Sequence, residues 1–449
     1  MSIASLARYL AAGSPLSAAE LARQTVPVHD DLTLDALPVL FPAIVGVFGR
    51  GVDDEFVETL LTAVVDPVTA SGAGPAAWDK VRAVVPADVL AGAVADAAAA
   101  PALATMALKL LGLYAAGAGA DDAVAAAVVG PAATKATPTT VVAQAERTVA
   151  RLAGGPLRPA VVQALAAAKA AAADWIVLAR VQALATVLLE RSYADVPAAL
   201  LQYDVAGAAA EDELAAMVCV EFYERVLELN LAPAALAAVE PQVRAIVGLH
   251  ARGAHGVLGL AAARFVGALA QARPELFAAL DADFGVVRRL SARDERDAAV
   301  LARLPAPYLA AHNPELLRTL PVAAATLGVL ANVIATDDAA GSATATVAGL
   351  RPDALMRLPV PDLLRLAWAL AGPAWGAARL ASWPAVMGAV LEGRRGYDLA
   401  TLRGDVLARL AAHAAELGPW RATVEAEHRA GAWGVAGAGP AVAVEDRHM

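Results

Sequence analysis

Apolar residues recur along this chain at helical spacing, in segments that begin at intervals of roughly 35–48 residues. The clearest segments begin at Asp53, Pro101, Asp174, Asp212, Asn313 and Val360. Most of these starts carry Asp, Asn or Pro, the residues that cap a helix or preset its first turn. A single helix pair cannot bury such an apolar face, so neighbouring pairs must stack. The pattern therefore predicts an all-α fold, a right-handed solenoid of stacked helix pairs.

Two segments illustrate the spacing. One carries Trp175, Leu178, Val181, Leu184, Val187 and Leu188. The other carries Leu363, Leu366 and Leu370, with Trp375 one turn further on. Positions three and four apart share one side of a helix, so these side chains are expected to form the buried faces.

Turn signals divide the chain into helices. Residues 1–33 read as an N-terminal cap of two short helices, followed by a helix from Leu34 to Gly49. Gly130-Pro131 and Gly372-Pro373 read as loops. Alternating β-branched runs of strand length are scarce. The predicted organisation is one solenoid over residues 1–433 and a low-complexity, disordered tail over 434–449.

Composition raises and then weakens a membrane interpretation. The 449 residues are 59% hydrophobic and 18% charged, with a mean hydropathy of +0.55. Alanine dominates, which is typical of a coding bias in a GC-rich genome. The best spanning candidate, Thr319 to Thr336, contains Pro321 and relies on weakly partitioning Ala and Val. The N-terminus lacks the pattern of a secretory signal, so no membrane association is predicted.

Charge and cysteine content narrow the function classes further. The net charge is −10, from 35 basic and 45 acidic residues, which argues against nucleic acid as the main ligand. Arg288, Arg289, Arg293 and Arg296 form a basic run, but acidic neighbours dilute it. The single cysteine, Cys219, excludes a disulfide within the chain and favours a reducing compartment.

The search for catalytic patterns finds no phosphate loop and no nucleophile elbow. His250 and His255 are five residues apart, so on a helix they point to different sides. Cys219 lies between two valines, as a buried structural thiol would. Acid pairs occur at residues 30–31, 53–54, 121–122 and 337–338, without the third acid that a metal-diphosphate site needs. We therefore predict no enzyme activity, no catalytic residue, no metal and no cofactor.

Tryptophan is concentrated near the C-terminus, with five of the seven residues at 368, 375, 383, 420 and 433. Aromatic residues at helical spacing are usually core, but Trp is also enriched where proteins bind one another. Trp433 lies closest to the predicted tail and is the candidate for an exposed partner-binding residue.

Several segments together resemble one family, the non-ATPase regulatory subunit 5 of the 26S proteasome, whose members consist of armadillo/HEAT-like repeats. Pro361-Asp362-Leu363 resembles the family's Pro-x-Pro-Glu-Leu helix opening, and Pro373-Ala374-Trp375 resembles its Pro-Trp turn. The sequence from His428 to Val435 is similar to its closing Gly-Pro-aromatic-Val signature, but lacks the proline. Further likenesses cover residues 37–41, 56–67, 212–228, 259–289, 383–391 and 399–410.

The resemblance implies a chaperone for assembly of the base of the proteasome regulatory particle. Such a protein binds the C-terminal domain of a base ATPase subunit, holds it with other base subunits, and dissociates before the mature particle forms. The implied protein is a monomer when free and is located in the cytoplasm, with the nucleus as an alternative. The alternative function is a generic armadillo/HEAT-repeat adaptor or scaffold that binds other proteins.

Two further expectations follow from the residues. The acidic balance is expected to attract a basic patch on a partner protein. The Ala-rich stretch over residues 130–170 is expected to be the least stable part of the solenoid, because each Ala buries little area.

Overall fold

A computed structural model describes residues 2–12, 17–72, 74–115, 120–191, 196–229, 233–392 and 397–431. Helices are the regular structure throughout this part of the chain, and it contains no strand. The chain divides into two compact units, Met1–Ala245 and Ile246–Met449. The predicted tail 434–449 and Trp433 lie outside the described residues.

The first unit opens with the two short helices expected of the cap, α1 and α2, followed by a 3-10 turn at Val26–Asp31. A π-helical segment, Leu61–Val65, joins α4 to α5, so residues 54–70 are continuously helical. The helices are α1 Ile3–Ala11, α2 Ala18–Thr25, α3 Leu37–Phe48, α4 Asp54–Leu60, α5 Asp66–Ala70, α6 Gly74–Arg82, α7 Ala87–Ala95, α8 Pro101–Leu111, α9 Asp121–Ala133, α10 Thr139–Leu152, α11 Arg158–Ala171, α12 Trp175–Arg191, α13 Ala198–Leu201, α14 Val205–Glu211, α15 Glu213–Glu228 and α16 Pro233–Ala251.

The second unit continues in the same way after α16. Its helices are α17 Gly256–Ala272, α18 Pro274–Phe284, α19 Val286–Arg289, α20 Glu295–Leu301, α21 Ala306–His312, α22 Pro314–Thr319, α23 Leu327–Thr336, α24 Ser342–Ala345, α25 Pro352–Leu355, α26 Val360–Leu370, α27 Ala374–Ala381, α28 Pro384–Glu392, α29 Tyr397–Ala412 and α30 Arg421–Ala430. A 3-10 helix, Ala414–Trp420, precedes α30.

Within each unit, successive repeats stack helix on helix. In the first unit α8 packs on α10, α10 on α12 and α12 on α15, and we call this row layer A. Its helices begin at residues 101, 139, 175 and 213, so the repeat is 36 to 38 residues long. Helices α7, α9 and α11 stack in the same way beside it and form layer B.

The second unit repeats the arrangement. Helices α17, α20, α23, α26 and α29 pack in that order, and we call this row layer C. Their starts at residues 256, 295, 327, 360 and 397 are 32 to 39 residues apart. The periodicity predicted from the apolar pattern is therefore present in both units.

Local capping explains where many helices begin. Asp53 accepts a hydrogen bond from the backbone N–H of Phe56 at 2.7 Å, and Asp212 accepts one from that of Leu214 at 2.9 Å. Asn313 accepts one from the backbone N–H of Leu316 at 3.1 Å. Each bond satisfies an N–H that the first turn of a helix leaves without a partner. The helix starts predicted at these residues are confirmed.

Polar side chains join each repeat to a neighbouring one across layer A. Thr148 Oγ1 on α10 donates to the carbonyl of Leu108 on α8 at 3.0 Å, and Gln182 Nε2 on α12 donates to Cys219 Sγ on α15 at 3.4 Å. Lys109 forms an ion pair with Asp66. These pairs are 37 to 43 residues apart in sequence, about one repeat.

Layer C has the same kind of connection. Arg303 Nη1 donates to the carbonyl of Arg264 at 3.3 Å, and Asn332 Nδ2 donates to that of Leu304 at 2.7 Å. Arg409 Nη1 donates to the carbonyl of Trp368 at 3.3 Å. Because both ends of each bond lie in adjacent repeats, these bonds fix the register of one helix on the next.

Three sequence predictions are wrong. Gly130-Pro131 is not a loop, because α9 continues through it to Ala133; the missing N–H of Pro131 falls in the last turn, where the cost is confined to the end of the helix. Trp375 does not extend the apolar face of α26, because the chain breaks at Gly372-Pro373 and Trp375 belongs to α27. Trp175 is 36% exposed, because it is the first residue of α12 and lies at the turn.

No individual helix in the described ranges has both the length and the apolar content needed to cross a bilayer. The helical segments Ala18–Asp31 and Leu34–Phe48 meet that criterion only as a pair, and a bend of 115° separates them. The candidate stretch Thr319–Thr336 is divided between the end of α22, a 3-10 turn at Ala324–Thr326 and α23.

Candidate functional site

The single thiol, Cys219, is buried in layer A. Its side chain is 2% exposed and lies beside Gln182, whose amide donates to the sulfur. Burial raises the pKa of the Cys219 thiol to about 11. A thiol that stays protonated and out of contact with solvent is a poor nucleophile. The structural role predicted for Cys219 is confirmed.

His250 and His255 lie at the turn between α16 and α17, next to a small cavity of about 120 Å³. His250 Nε2 is 4.0 Å from Asp297 Oδ1. Burial, with Arg296 and Arg289 adding to it, lowers the pKa of His250 to about 4, so the ring is neutral at pH 7. No group of three or more His, Cys, Asp or Glu side chains arranged to hold a metal ion occurs in the described part of the chain.

The acid pairs serve helix starts and turns. Asp53 caps α4, and Asp121 accepts the hydroxyl of Tyr114 at 2.7 Å at the start of α9. Asp337 accepts backbone N–H groups of Ala343 and Thr344, the latter at 2.6 Å. Acids at these places also interact favourably with the positive end of a helix. The structural interpretation of these three pairs is confirmed.

Trp368 is the C-terminal tryptophan that the structure leaves most open to solvent, among those it describes. Its side chain is 37% exposed, and the guanidinium of Arg409 lies 3.4 Å from the ring centroid. The sequence analysis placed Trp368 with the core and selected Trp433 instead. The signal it missed is that Trp368 sits three residues after the exposed Arg365, on the outward side of α26.

A groove of about 700 Å³ opens in the first unit, beside α7, α8, α9 and α10. Small residues form most of its wall: Ala91, Gly92, Ala95, Ala99, Ala104, Ala123, Ala126, Ala127, Gly130 and Ala136 all line it. Short side chains cannot fill the space between helices that begin one repeat apart. The groove therefore follows directly from the alanine-rich composition of this part of the chain.

A fixed loop forms one end of the groove. Arg180 of α12 donates to the carbonyl of Thr134 at 2.8 Å and to that of Thr137 at 3.0 Å. Lys135 forms an ion pair with Asp174 at 2.6 Å. These contacts hold residues 134–138 against the next repeat, so this end of the groove is preformed.

Acidic residues surround the groove. Asp96 lines it, and its Oδ1 accepts the backbone N–H of Ala98 at 2.8 Å. Asp88 lies one helical turn before Gly92, and Asp122 one turn before Ala126, so both occur on the groove side of their helices. All three aspartates are exposed. The potential at the groove is therefore negative.

Charge is distributed unequally between the two units. The first unit has 15 Lys and Arg against 26 Asp and Glu, a net charge of −11, whereas the second has 20 against 19, a net charge of +1. The acidic balance of the whole chain thus originates in the unit that contains the groove.

No protein-family model matches the chain, and no curated protein matches it. Among solved structures, the chain is similar to importin beta crystallised in an ammonium sulfate condition, with a TM-score of 0.53 and 13% identity over 92% of this chain. It is also similar to Kap95p, from a structure concerned with RanGDP binding, with a TM-score of 0.47 and 14% identity over 95% of this chain. The matches span 57% of the importin beta chain and 62% of the Kap95p chain.

Importin beta is a helical HEAT-repeat protein. At this level of identity the similarity concerns the fold. Together with the regular stacking in layers A and C, it assigns this chain to the all-α class of HEAT-like helical-repeat solenoids.

Proposed function

We propose that this chain is a protein-binding scaffold, which acts by presenting a surface to other proteins rather than by catalysis. The observation that carries the proposal is the groove in the first unit, a preformed concave site with an apolar wall and an acidic rim. Helical-repeat proteins commonly use such extended surfaces for recognition. The polar connections between repeats keep the wall in place without filling it.

The test is affinity capture with the full chain from extract of its native cells, followed by mass spectrometry. Beads that carry an unrelated protein of similar net charge are the matched control. Proteins enriched by this chain above that control would support the scaffold. An eluate that does not differ from the control would contradict it.

A second and more specific candidate is an assembly chaperone for the base of the proteasome regulatory particle. The observation that favours it is the sequence resemblance around Pro361, Pro373-Ala374-Trp375 and residues 212–228. The repeat fold is compatible with it, since a helical-repeat surface can cover one face of a partner domain during assembly. As a chaperone the chain would act as a monomer in the cytoplasm and release its partner before the particle matures.

The same capture experiment separates the two candidates. A chaperone would enrich base ATPase subunits without the proteolytic core particle, because it leaves before the core is joined. Enrichment of other proteins, with proteasome subunits at the level of the control beads, would leave the scaffold and exclude the chaperone.

A further inference from the structure

We infer that the groove in the first unit binds a helical segment of a partner protein with an apolar face flanked by Lys or Arg. This inference rests on the proposed scaffold function and names the chemistry of the partner at that site. Three properties of the groove carry it: the shape of its wall, the scarcity of polar groups in it, and the charge around it.

The wall has the shape that a helix needs. Ala123, Ala126 and Gly130 follow one another at helical spacing along α9, and Gly92 and Ala95 line the groove from α7. Residues this small form a shallow ridge that lets another backbone approach closely. An amphipathic helix placed in an apolar groove is a recurrent mode of protein recognition.

The wall also has few groups that could orient a small polar molecule. Of its 19 lining residues only Asp96, Thr134 and Thr137 have polar side chains. The hydroxyl of Thr134 is already donated to the carbonyl of Gly130 at 3.2 Å. Sites for small ligands usually place several polar groups at defined positions, whereas this wall offers apolar contact over a length of two helix connections.

The charge around the groove specifies the flanks of the occupant. Asp88, Asp96 and Asp122 are exposed at its rim, and the nearby Lys135 is paired with Asp174. No Lys or Arg in the described ranges forms an ion pair with any of the three aspartates. Basic residues on a bound segment would meet these carboxylates, while an acidic segment would be repelled.

The probe for the test is a fluorescein-labelled synthetic helix of Leu, Ala and Lys, about 16 residues long, with Leu along one face. Its counterpart has the same Leu face with Glu in place of Lys. Fluorescence anisotropy gives the Kd of each peptide for the full chain at about 50 mM and about 200 mM NaCl, because screening separates the charge contribution.

Two glycines provide matched variants. A Cβ added at Gly92 or at Gly46 meets no atom within 4 Å, and both glycines are exposed inside a helix. Gly92→Phe places a ring in the groove, whereas Gly46→Phe places the same ring on α3, outside it. Both substitutions remove a glycine from a helix, so neither should impair folding. Circular dichroism of both variants checks this.

We expect the Lys peptide to bind the wild-type chain, Gly92→Phe to weaken it by about tenfold or more, and Gly46→Phe to leave it unchanged. The triple variant Asp88→Asn, Asp96→Asn and Asp122→Asn should weaken binding and reduce its dependence on salt. Equal affinity of Gly92→Phe and Gly46→Phe, or binding of the Glu peptide as tight as that of the Lys peptide, would overturn the inference.

Native-extract capture with Gly92→Phe separates this inference from the proposed function. Loss of partners that Gly46→Phe retains supports the groove as their binding site. If both variants retain the same partners, the scaffold function stands and the groove inference fails. If the wild-type chain captures no partner above control, the proposed function itself fails.

Discussion

Cys219 shows how burial decides the chemistry of a single residue. Its thiol is 2% exposed and its pKa is raised to about 11, so the native protein should hold almost no thiolate at pH 8. We expect a chromogenic disulfide reagent to leave Cys219 unmodified in buffer and to label it completely in denaturant. Labelling of the native chain at the rate of a free thiol would contradict this expectation.

His250 gives the stability of the chain a defined pH dependence. The pKa of its ring is about 4 in the folded state and about 6.5 when exposed. Between these values the unfolded chain binds more protons, so the free energy of unfolding falls as the pH falls from about 6.5 to about 4. The loss is on the order of 3 kcal/mol at full protonation of the unfolded state.

The groups that face His250 set the control for this prediction. Asp297, whose pKa burial raises, takes up a proton in the folded state and opposes the loss, while Arg289, Arg296 and the ionised Asp294 keep their charges. His250→Gln removes only the histidine contribution. Denaturant unfolding at pH 7 and pH 5 should therefore show a smaller decrease for His250→Gln than for the wild type; an equal decrease would contradict the assignment.

At the scale of the element, Arg403 stabilises the end of one helix from inside the next. Its side chain is fully buried on α29, and Nη2 donates to the carbonyl of Leu391 at 2.8 Å and to Glu427 Oε2 at 2.7 Å. Arg403→Met should lower the free energy of unfolding by about 3–5 kcal/mol, because it leaves buried acceptors without a donor. Glu427→Gln keeps an acceptor and should cost less. A change below about 1 kcal/mol for Arg403→Met would refute this role.

The alanine-rich region remains the predicted weak part of the first unit. The segment 130–170 forms the end of α9, then α10 and most of α11, and much of what α9 buries is Ala and Val. Smaller side chains bury less apolar area, so opening should be easier there. Hydrogen exchange should be faster over residues 130–170 than over Asp174–Arg191. Equal protection of the two segments would contradict the prediction.

Elements were predicted where the signal is local, and features that depend on two elements were not. Asp53, Asp212 and Asn313 mark helix starts because a cap acts within three residues of its own chain. The groove depends on α7 and α9, which begin 34 residues apart, and its wall is made of alanines that look like any others in this sequence. The exposure of Trp368 likewise depends on how α26 packs in layer C.

At the scale of the whole molecule, the unequal charge of the two units predicts how partners bind. The first unit has a net charge of −11, which should attract basic surfaces over distances of about a Debye length. Proteins captured from extract through this unit should dissociate as NaCl is raised from about 0.05 M to about 0.5 M. Retention that does not change with salt would show that charge contributes little.

The hydrogen bonds between neighbouring repeats also bear on how the chain is made. Thr148 and Leu108 are 40 residues apart, and Arg409 and Trp368 are 41 apart. A helix leaving the ribosome therefore finds the partner for such a bond already synthesised, about one repeat behind it. Contacts of this short range favour rapid folding. Each unit can grow by adding one repeat at a time to a finished end, as translation proceeds from the N-terminus.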